Sequence, residues 1–358
     1  MSGESLSRFR RACVIGFVVI VVTLWGIVLI GLRSLYQSTI DEANANHRAL
    51  AQILVEHVGS QVRAIDLAAL RLRDVWRDNP GHFSAEVDRQ KVLLASQSIL
   101  QVAVTDVNGW VIWNSTTGQL RPGEVGLSDR EHFQIHKTRQ TDDLFVGVPV
   151  LGRTSHQWTI QFTRAIRDGE GRLQHVMTLS VPPPALERVY DTIARRDDVH
   201  ISLVRSDGHF LARSGNFDHG AAPVLDPATT PGLGSAGPDA GESRRTTLVD
   251  RRDSIVTFQR VPGYPLTVFV SWELSSGLRS FNRQRDIVLV LALLLSVVLF
   301  MFTRMLIVRR VARMRDERAR AQQAERDERA ARQRLTSGEM AALFPDGVDD
   351  ITRADRER

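Results

Sequence analysis

Two apolar blocks near the ends of this chain limit its possible folds more than any other feature. Residues 12–32 form a run of 21 residues without a charged side chain, long enough at about 1.5 Å per residue for a helix to cross a hydrocarbon core of about 30 Å. The second block, residues 287–308, is interrupted only by Arg304, which lies close enough to the end to extend its guanidinium to the lipid headgroups. A secretory signal peptide has a shorter apolar region than the first block. The sequence therefore predicts two transmembrane helices in a lipid bilayer.

Arginines beside the two blocks predict their orientation. Three arginines lie within residues 8–11, and Arg309 and Arg310 directly follow the second block. Because basic residues gather on the cytoplasmic side of a membrane, we expect residues 1–11 and both termini to lie on the cytoplasmic side of the inner (plasma) membrane. Residues 33–286 are then periplasmic.

The remaining composition excludes some classes of function. The net charge is +5, and Lys91 and Lys137 are the only lysines. The arginines are dispersed among acidic residues rather than clustered, so no nucleic-acid partner is expected. Cys13, the single cysteine, lies inside the first apolar block, so the exported region must be held together by its core without a disulfide.

A long helix is predicted to follow the first span. Apolar residues recur at steps of three and four: Leu50, Leu54, Val58, Val62, Ile65, Ala69, Leu72 and Trp76. Gly59 leaves open the alternative of two shorter helices. A turn at residues 79–81 and a second helix over residues 85–97 complete the helical region, 33–98.

The next residues have the alternation and the turns of β-strands. Residues 99–105 and 110–113 flank Asn108-Gly109, a good hairpin signal. Ser128 and Glu131 have the spacing of a capping box and predict the start of a short helix. Residues 158–166 and 173–181 are predicted as paired strands, with Trp158, Phe162 and Arg164 on one face of the first strand.

A second, smaller β unit is predicted after three consecutive prolines. A helix over residues 185–195 leads into it, and residues 215–243 are predicted as loop because they are rich in Gly, Pro, Ala and Asp. The predicted strands are residues 199–205, 209–213, 245–249, 255–261 and 266–272. A helix over residues 275–285 leads into the second span.

The order of these elements resembles the double-Cache (dCache, PDC-like) sensor domains of bacterial diguanylate-cyclase-like, histidine-kinase and chemotaxis receptors. The residues that carry the resemblance to the first module are 127–133 (LSDREHF), 146–150 (VGVPV), 158–164 (WTIQFTR) and 168–171 (DGEG). For the second module they are 207–213 (DGHFLAR) and 261–266 (VPGYPL). The resemblance covers about residues 35 to 285.

The resemblance implies an α+β fold: a long stalk helix and two tandem PAS-like α/β (Cache) modules with antiparallel sheets, flanked by two transmembrane helices. It places a membrane-distal module at residues 99–183 and a membrane-proximal module at residues 184–274. Residues 127–182 would form the sensing half.

In this family the membrane-distal module usually binds a small ligand, and the candidate contacts carried over are Asp129, Arg130, Phe133, Trp158 and Arg164. The guanidinium of arginine can donate two parallel hydrogen bonds to a carboxylate, so an organic anion is one candidate ligand. The sequence lacks the Tyr-x-x-x-x-Arg-x-Trp-Tyr signature of the amino-acid-binding subset. Each candidate also has a structural interpretation: Asp129 and Arg130 as charges of an exposed helix turn, the aromatic residues as core, and Arg164 as part of an ion pair. His132 and His136 share a helical face, but no third ligand is evident, so neither a metal nor another cofactor is expected.

After the second span the sequence predicts a charged cytoplasmic helix, residues 309–335, and a disordered tail, residues 336–358. Neither a Gly-Gly-Asp/Glu-Glu-Phe stretch nor a histidine follows Val308. We therefore expect a non-enzymatic sensor, acting as a homodimer, whose signal is read by a separate cytoplasmic output protein. A truncated remnant of a diguanylate cyclase or histidine kinase and a non-signalling envelope scaffold remain as alternatives.

Overall fold

The computed structural model describes residues 2–197, 199–215, 217–234, 237–247 and 251–343. They divide into two compact units: Met1–Leu35 with Arg283–Arg358, and Tyr36–Asn282. The predicted disordered tail lies outside the described residues from residue 344 onward.

The first unit contains the two apolar blocks as helical segments that contact each other. Both belong to helices long and apolar enough to cross a membrane, with mean hydropathies of 3.0 and 2.7. The rings of Phe17 and Phe300 meet edge to face at 5.9 Å, and the Trp25 indole Nε1 donates to Ser296 Oγ at 3.2 Å. Phe17 precedes Trp25 in the first segment, whereas its partner Phe300 follows Ser296, the partner of Trp25, in the second. The two segments are therefore antiparallel.

The described helices and strands follow the predicted order. The helices are α1 (Ser2–Asp78), α2 (Phe83–Arg89), α3 (Lys91–Ser96), α4 (Glu131–Thr138), α5 (Pro184–Asp197), α6 (Leu274–Gly277) and α7 (Arg279–Leu343). The strands of the first module are β1 (Gln101–Asp106), β2 (Val111–Asn114), β3 (Gly118–Gln119), β4 (Phe145–Leu151), β5 (Trp158–Arg167) and β6 (Leu173–Val181). Those of the second are β7 (Val199–Arg205), β8 (Phe210–Arg213), β9 (Ala240–Thr246), β10 (Asp253–Arg260) and β11 (Leu266–Glu273).

Each module contains one antiparallel sheet. The first sheet has the order β3-β2-β1-β6-β5-β4 and the second β8-β7-β11-β10-β9. In both, the first strand of the module lies in the interior, between its hairpin partner and the last strand of that module. The predicted fold class, a long helix with two tandem antiparallel α/β modules, is confirmed.

Helix α1 supplies part of the core of both sheets. One continuous cluster of buried side chains contains residues of α1 between Ala51 and Trp76 together with Leu179 of the first sheet and Val270 of the second. The Trp76 ring lies 5.7 Å from His175 of β6. The helix runs through Gly59 without a break, so the alternative of two shorter helices is wrong.

Several helices and strands have bounds that differ from the prediction. The predicted helix 85–97 is two short helices, α2 and α3. Strand β9 begins at Ala240, inside the predicted loop; it is an edge strand paired only with β10 and therefore lacks an alternating apolar pattern. Helix α7 continues past the predicted end at residue 335 to Leu343, because the good helix formers of residues 339–343 follow the Thr-Ser-Gly of residues 336–338 and extend the helix through it.

Gly59 provides a test of the continuous helix. A Cβ added there would lie 3.5 Å from Val261 Cγ1 and 3.3 Å from the flexible end of Arg63. Gly59→Ala should therefore stabilise the full chain by about 0.5–1 kcal/mol through helix propensity, raising the midpoint of thermal unfolding. As the contrasting variant, Gly208→Ala should lower it, since Gly208 has φ +94° and an added Cβ would overlap Leu225 O. A lower midpoint for Gly59→Ala would contradict the observed spacing between α1 and Val261.

Candidate functional site

A small polar cavity lies on the face of the first sheet that points away from α1. Side chains alternate along a strand, so Phe162 and Leu179 join the core shared with α1, whereas Gln161 and Ser180 face the opposite side. Helix α4 and the residues after β4 cover this face. The polar side chains that line the cavity are Gln101, Thr154, Ser155, Gln161, Thr178, Ser180, Arg130, His132 and Arg153.

The floor of the cavity is a partly satisfied hydrogen-bond network. Thr154 Oγ1 donates to Gln101 Oε1 at 2.9 Å, and Ser180 Oγ donates to Gln161 Oε1 at 2.8 Å. Gln101 Nε2, Ser155 Oγ and Thr178 Oγ1 are buried and have no hydrogen-bond partner among the described residues. A buried polar group without a partner costs about 1–3 kcal/mol. A polar guest in this cavity, a water molecule included, would supply partners for these three atoms.

Two arginines lie at the rim of this cavity. Arg153 donates bidentately to the Asp129 carboxylate, with both distances 2.7 Å, and also to Gly126 O. The hydrogen bond from Arg153 lowers the pKa of Asp129, so this carboxylate stays ionised. Arg130 Nη2 donates to Leu151 O at 3.3 Å and has no carboxylate partner among the described residues, which leaves its guanidinium able to accept an anion.

The two histidines of α4 are buried and neutral. Desolvation by burial, followed by the charge of Arg130, lowers the pKa of His132 to about 4. Burial, followed by the charge of Arg167, lowers the pKa of His136 to about 4. His136 Nε2 lies 2.8 Å from Thr163 Oγ1, which ties α4 to β5. The described residues contain no group of three His, Cys, Asp or Glu side chains placed to hold a metal ion.

Of the five predicted ligand contacts, Arg130 lines this cavity. Asp129 does not line it, but its carboxylate binds Arg153, which does. Phe133 is buried, with Lys137 Nζ 5.2 Å from its ring centroid, and does not line the cavity. Trp158 is 38% exposed, and its ring lies 6.4 Å from that of His219 in the second module.

Arg164 lies on the opposite face of β5 from the cavity. Its Nε and Nη2 donate to the two carboxylate oxygens of Asp66, on α1, at 2.6 and 3.0 Å. Arg164 Nη1 also donates to Asp142 O. The side chain is buried, and this fork holds β5 against α1, which matches the ion-pair interpretation considered above.

The predicted capping box is wrong. Helix α4 begins at Glu131, with Arg130 as the N-cap residue and no side-chain cap hydrogen bond. Ser128 instead packs under the β1–β2 turn, where a Cβ on Gly109 would come within 2.8 Å of the Ser128 Cα. Its carbonyl accepts a hydrogen bond from Gln134 Nε2. The Glu131 side chain turns away from the helix start toward Arg205.

The cavity floor was missed by sequence reasoning, although a signal was present. Gln161 and Thr163 alternate with Phe162 and Ile160 along β5, and all four are buried. Uncharged polar residues at alternate positions of a strand buried on both faces indicate a polar interior site.

A second, larger cleft lies between the modules. Its volume is about 680 Å³, within the usual range of ligand sites. Its charged lining residues are Arg63, Asp66, Glu131, Arg139, Asp143, Arg164, Arg205 and Asp207. Since Arg164 is bound to Asp66 and Arg205 to Glu131 and Asp207, most of the charge in this cleft is already neutralised by ion pairs between elements.

No family model matches the sequence, and no curated protein matches it. Solved structures do match in fold. The extracellular domain of rpHK1S-Z16, assigned as a histidine kinase, aligns with TM-score 0.56 and 21% identity over 67% of this chain and 98% of that chain. The ligand-binding domain of the Pseudomonas aeruginosa PAO1 amino acid chemoreceptor PctB, in complex with L-Arg, aligns with TM-score 0.51 and 14% identity over 67% and 98%. That of the Pseudomonas fluorescens chemoreceptor CtaA with L-leucine aligns with TM-score 0.50 and 14% identity over 68% and 99%.

These likenesses confirm the predicted resemblance at the level of fold. The region between the two apolar helices has the two-module fold of extracellular ligand-binding domains from bacterial receptors. Each aligned domain is covered almost completely, so the likeness extends through both modules.

Arg164 can be tested as a structural residue. Arg164→Ala leaves the partly buried Asp66 carboxylate without its partner, so the full chain should lose about 3 kcal/mol of unfolding free energy, measured by chemical denaturation. Asp66→Asn should destabilise in the same direction. Arg172→Ala is the control, since Arg172 pairs with Asp168 at the exposed β5–β6 turn and its loss should leave the unfolding midpoint unchanged. Equal midpoints for Arg164→Ala and the control would contradict the structural role.

Proposed function

We propose that this protein is a membrane-bound sensor that binds a small organic anion in the first-module cavity and transmits the signal across the inner membrane. One observation carries the proposal: Arg130 and Arg153 lie at the rim of a cavity whose floor contains buried polar atoms without hydrogen-bond partners. The fold of receptor ligand-binding domains supports it.

The chemistry of the cavity favours an anion. A guanidinium presents parallel N–H donors that match a carboxylate, and the amide Nε2 of Gln101 is a further donor inside. The hydroxyls of Ser155 and Thr178 can donate to the same guest. No carboxylate lines the cavity within the described residues, and the nearby Asp129 is held by Arg153. An amino acid carries an ammonium group that would lack an acidic partner there, so a simple carboxylate fits better than a zwitterion.

The size of the cavity favours a small ligand and requires movement of the rim. Its volume is about 30 Å³, which is close to the share of one water molecule in the liquid. The floor consists of paired central strands, which hydrogen bonds hold on both sides. Entry of a ligand with a few carbon atoms therefore displaces α4 or the residues after β4, rather than the sheet.

The membrane location is also part of the proposal. Residues 12–32 and 287–308 would cross the inner membrane, with both termini cytoplasmic and residues 33–286 in the periplasm. Their side chains, such as Ile15, Val22 and Ile30, are mostly exposed, and a lipid bilayer would cover such an apolar surface.

We further propose that the chain acts as a sensor rather than an enzyme. It would work as a homodimer and pass its signal to a separate output protein that contacts the charged segment 309–335. The ion pairs Glu325–Arg329 and Glu328–Arg332 along one side of that segment support a solvent-exposed helix available to such a partner.

The ligand class can be tested by thermal shift of the full chain in nanodiscs. Sodium acetate, lactate, succinate and benzoate would be compared with the matching amines, amides and amino acids. A carboxylate at about 100 times its dissociation constant should stabilise by about 2.7 kcal/mol. Arg130→Ala should abolish this stabilisation because the rim guanidinium is its main cationic contact.

Two control variants sharpen that result. Arg172→Ala removes an arginine from the same module outside the cavity, and Gln101→Ala removes the floor donor. The first should keep the full stabilisation and the second should reduce it. Stabilisation by amines alone would overturn the anion assignment, and a shift unchanged in Arg130→Ala would overturn the site.

The orientation of the spans can be tested with reporter fusions. Alkaline phosphatase fused after Gly118 should be active, because the enzyme folds only in the periplasm, and the same reporter fused after Arg310 should be inactive. A green fluorescent protein fusion after Arg310 should fluoresce. The reverse pattern would contradict the proposed topology and remove the sensor proposal with it.

A further inference from the structure

Arg205 of the second module contacts helix α4, which covers the cavity of the first module, and strand β4, whose last residues line that cavity. Arg205, the last residue of β7, has a side chain only 7% exposed. Its Nη2 and Nη1 donate to the two carboxylate oxygens of Glu131 at 2.9 and 3.1 Å. Its Nη1 also donates to the Val146 carbonyl at 3.0 Å, and its guanidinium carbon lies 5.6 Å from the Phe145 ring centroid.

These contacts fall beside residues of the cavity wall. Glu131 is the first residue of α4, between Arg130 and His132, which both line the cavity. Arg130 is the N-cap residue and has an extended backbone, so its side chain and that of His132 both reach the cavity, whereas Glu131 lines the cleft between the modules. Val146 lies on β4, the strand that ends at Leu151, where Arg130 is hydrogen-bonded.

Arg205 is also held within its own module. Its Nε donates to Asp207 Oδ1 at 3.0 Å, two residues along the same turn. The guanidinium therefore bridges two carboxylates, one from each module, and a shift of α4 must either pull Arg205 with it or break a partly buried charged hydrogen bond. Breaking this contact costs more than breaking an exposed one because the buried Arg205 guanidinium cannot be fully rehydrated.

We propose that Arg205 is a positioning residue: it fixes α4 and β4 over the cavity and couples movement of the cavity rim to the second module. The coupling deepens the proposed function, since the rim it positions is the one that a ligand must displace. Glu131 is its counterpart in the first module, and Asp207 anchors it in the second.

Glu131 and Asp207 offer a matched pair of variants. Both side chains are about equally exposed, at 47% and 44%, and both substitutions remove one carboxylate beside Arg205. Glu131→Gln breaks the link between the modules, whereas Asp207→Asn breaks only a link within the second module. A merely structural role of the ion pairs would make the two variants alike.

The test is hydrogen exchange of the full chain in nanodiscs without any ligand. The readout is the backbone amides of residues 151–155, which line the cavity but contain none of the substituted positions. In Glu131→Gln they should exchange about tenfold faster than in the unaltered protein, and in Asp207→Asn at the original rate. Arg205→Lys should resemble Glu131→Gln, because an ammonium keeps the charge but cannot contact Glu131, Val146 O and Asp207 together.

Unchanged exchange in Glu131→Gln would overturn the proposal, as would equal acceleration in Asp207→Asn. If Arg205→Lys does not fold, the comparison of the other two variants decides. Because no anion is present, failure of this experiment leaves the ligand assignment standing, and failure of the thermal-shift screen leaves the coupling between the modules standing.

Discussion

The fold of the region between the apolar helices depends on the burial of one face of α1. That face packs against both sheets and joins their side chains into one continuous core. His47 lies near Trp272 of the second sheet, and Trp76 lies near His175 of the first. His47 and Trp76, the two α1 residues of these contacts, are 29 residues apart, which is about 43 Å along a helix. The only cysteine lies in an apolar block, so this shared hydrophobic contact provides the stability that disulfides give to many exported domains.

Much of this fold could be predicted from the sequence because the relevant signals are local. Steps of three and four identified the long helix, and β6 and β7 begin and end at the predicted residues. The Asn108-Gly109 turn marked the first hairpin. The errors fall where local signals conflict with tertiary contacts: an edge strand without alternation, and a Ser-x-x-Glu spacing whose glutamate binds Arg205 of another module instead of the helix start.

The candidate site was predicted less well, for a physical reason. Alternation along β5 separates Phe162 and Arg164 from Gln161 and Thr163, but it does not say which face meets α1. The face with Arg164 meets α1 because Arg164 binds Asp66 of that helix, and Asp66 is 98 residues from Arg164 along the chain. A buried arginine suggests an anion-binding site or an ion pair with equal chemical justification, and only the position of the carboxylate distinguishes them. The better signal was the uncharged polar face of β5, where the buried Gln161 and Thr163 alternate with apolar residues.

The short helix α4 shows how the cavity and the cleft between the modules are connected. Eight residues are too few for a helix to be stable in isolation, and α4 has no side-chain cap. Its position is therefore set by tertiary contacts, among them Gln134 with Ser128 O, His136 with Thr163, and Glu131 with Arg205. Two of these contacts lie within the first module and one crosses to the second. Under the proposed function, a guest that displaced the first turn of α4 would alter the Glu131–Arg205 contact, which joins this helix to the second module.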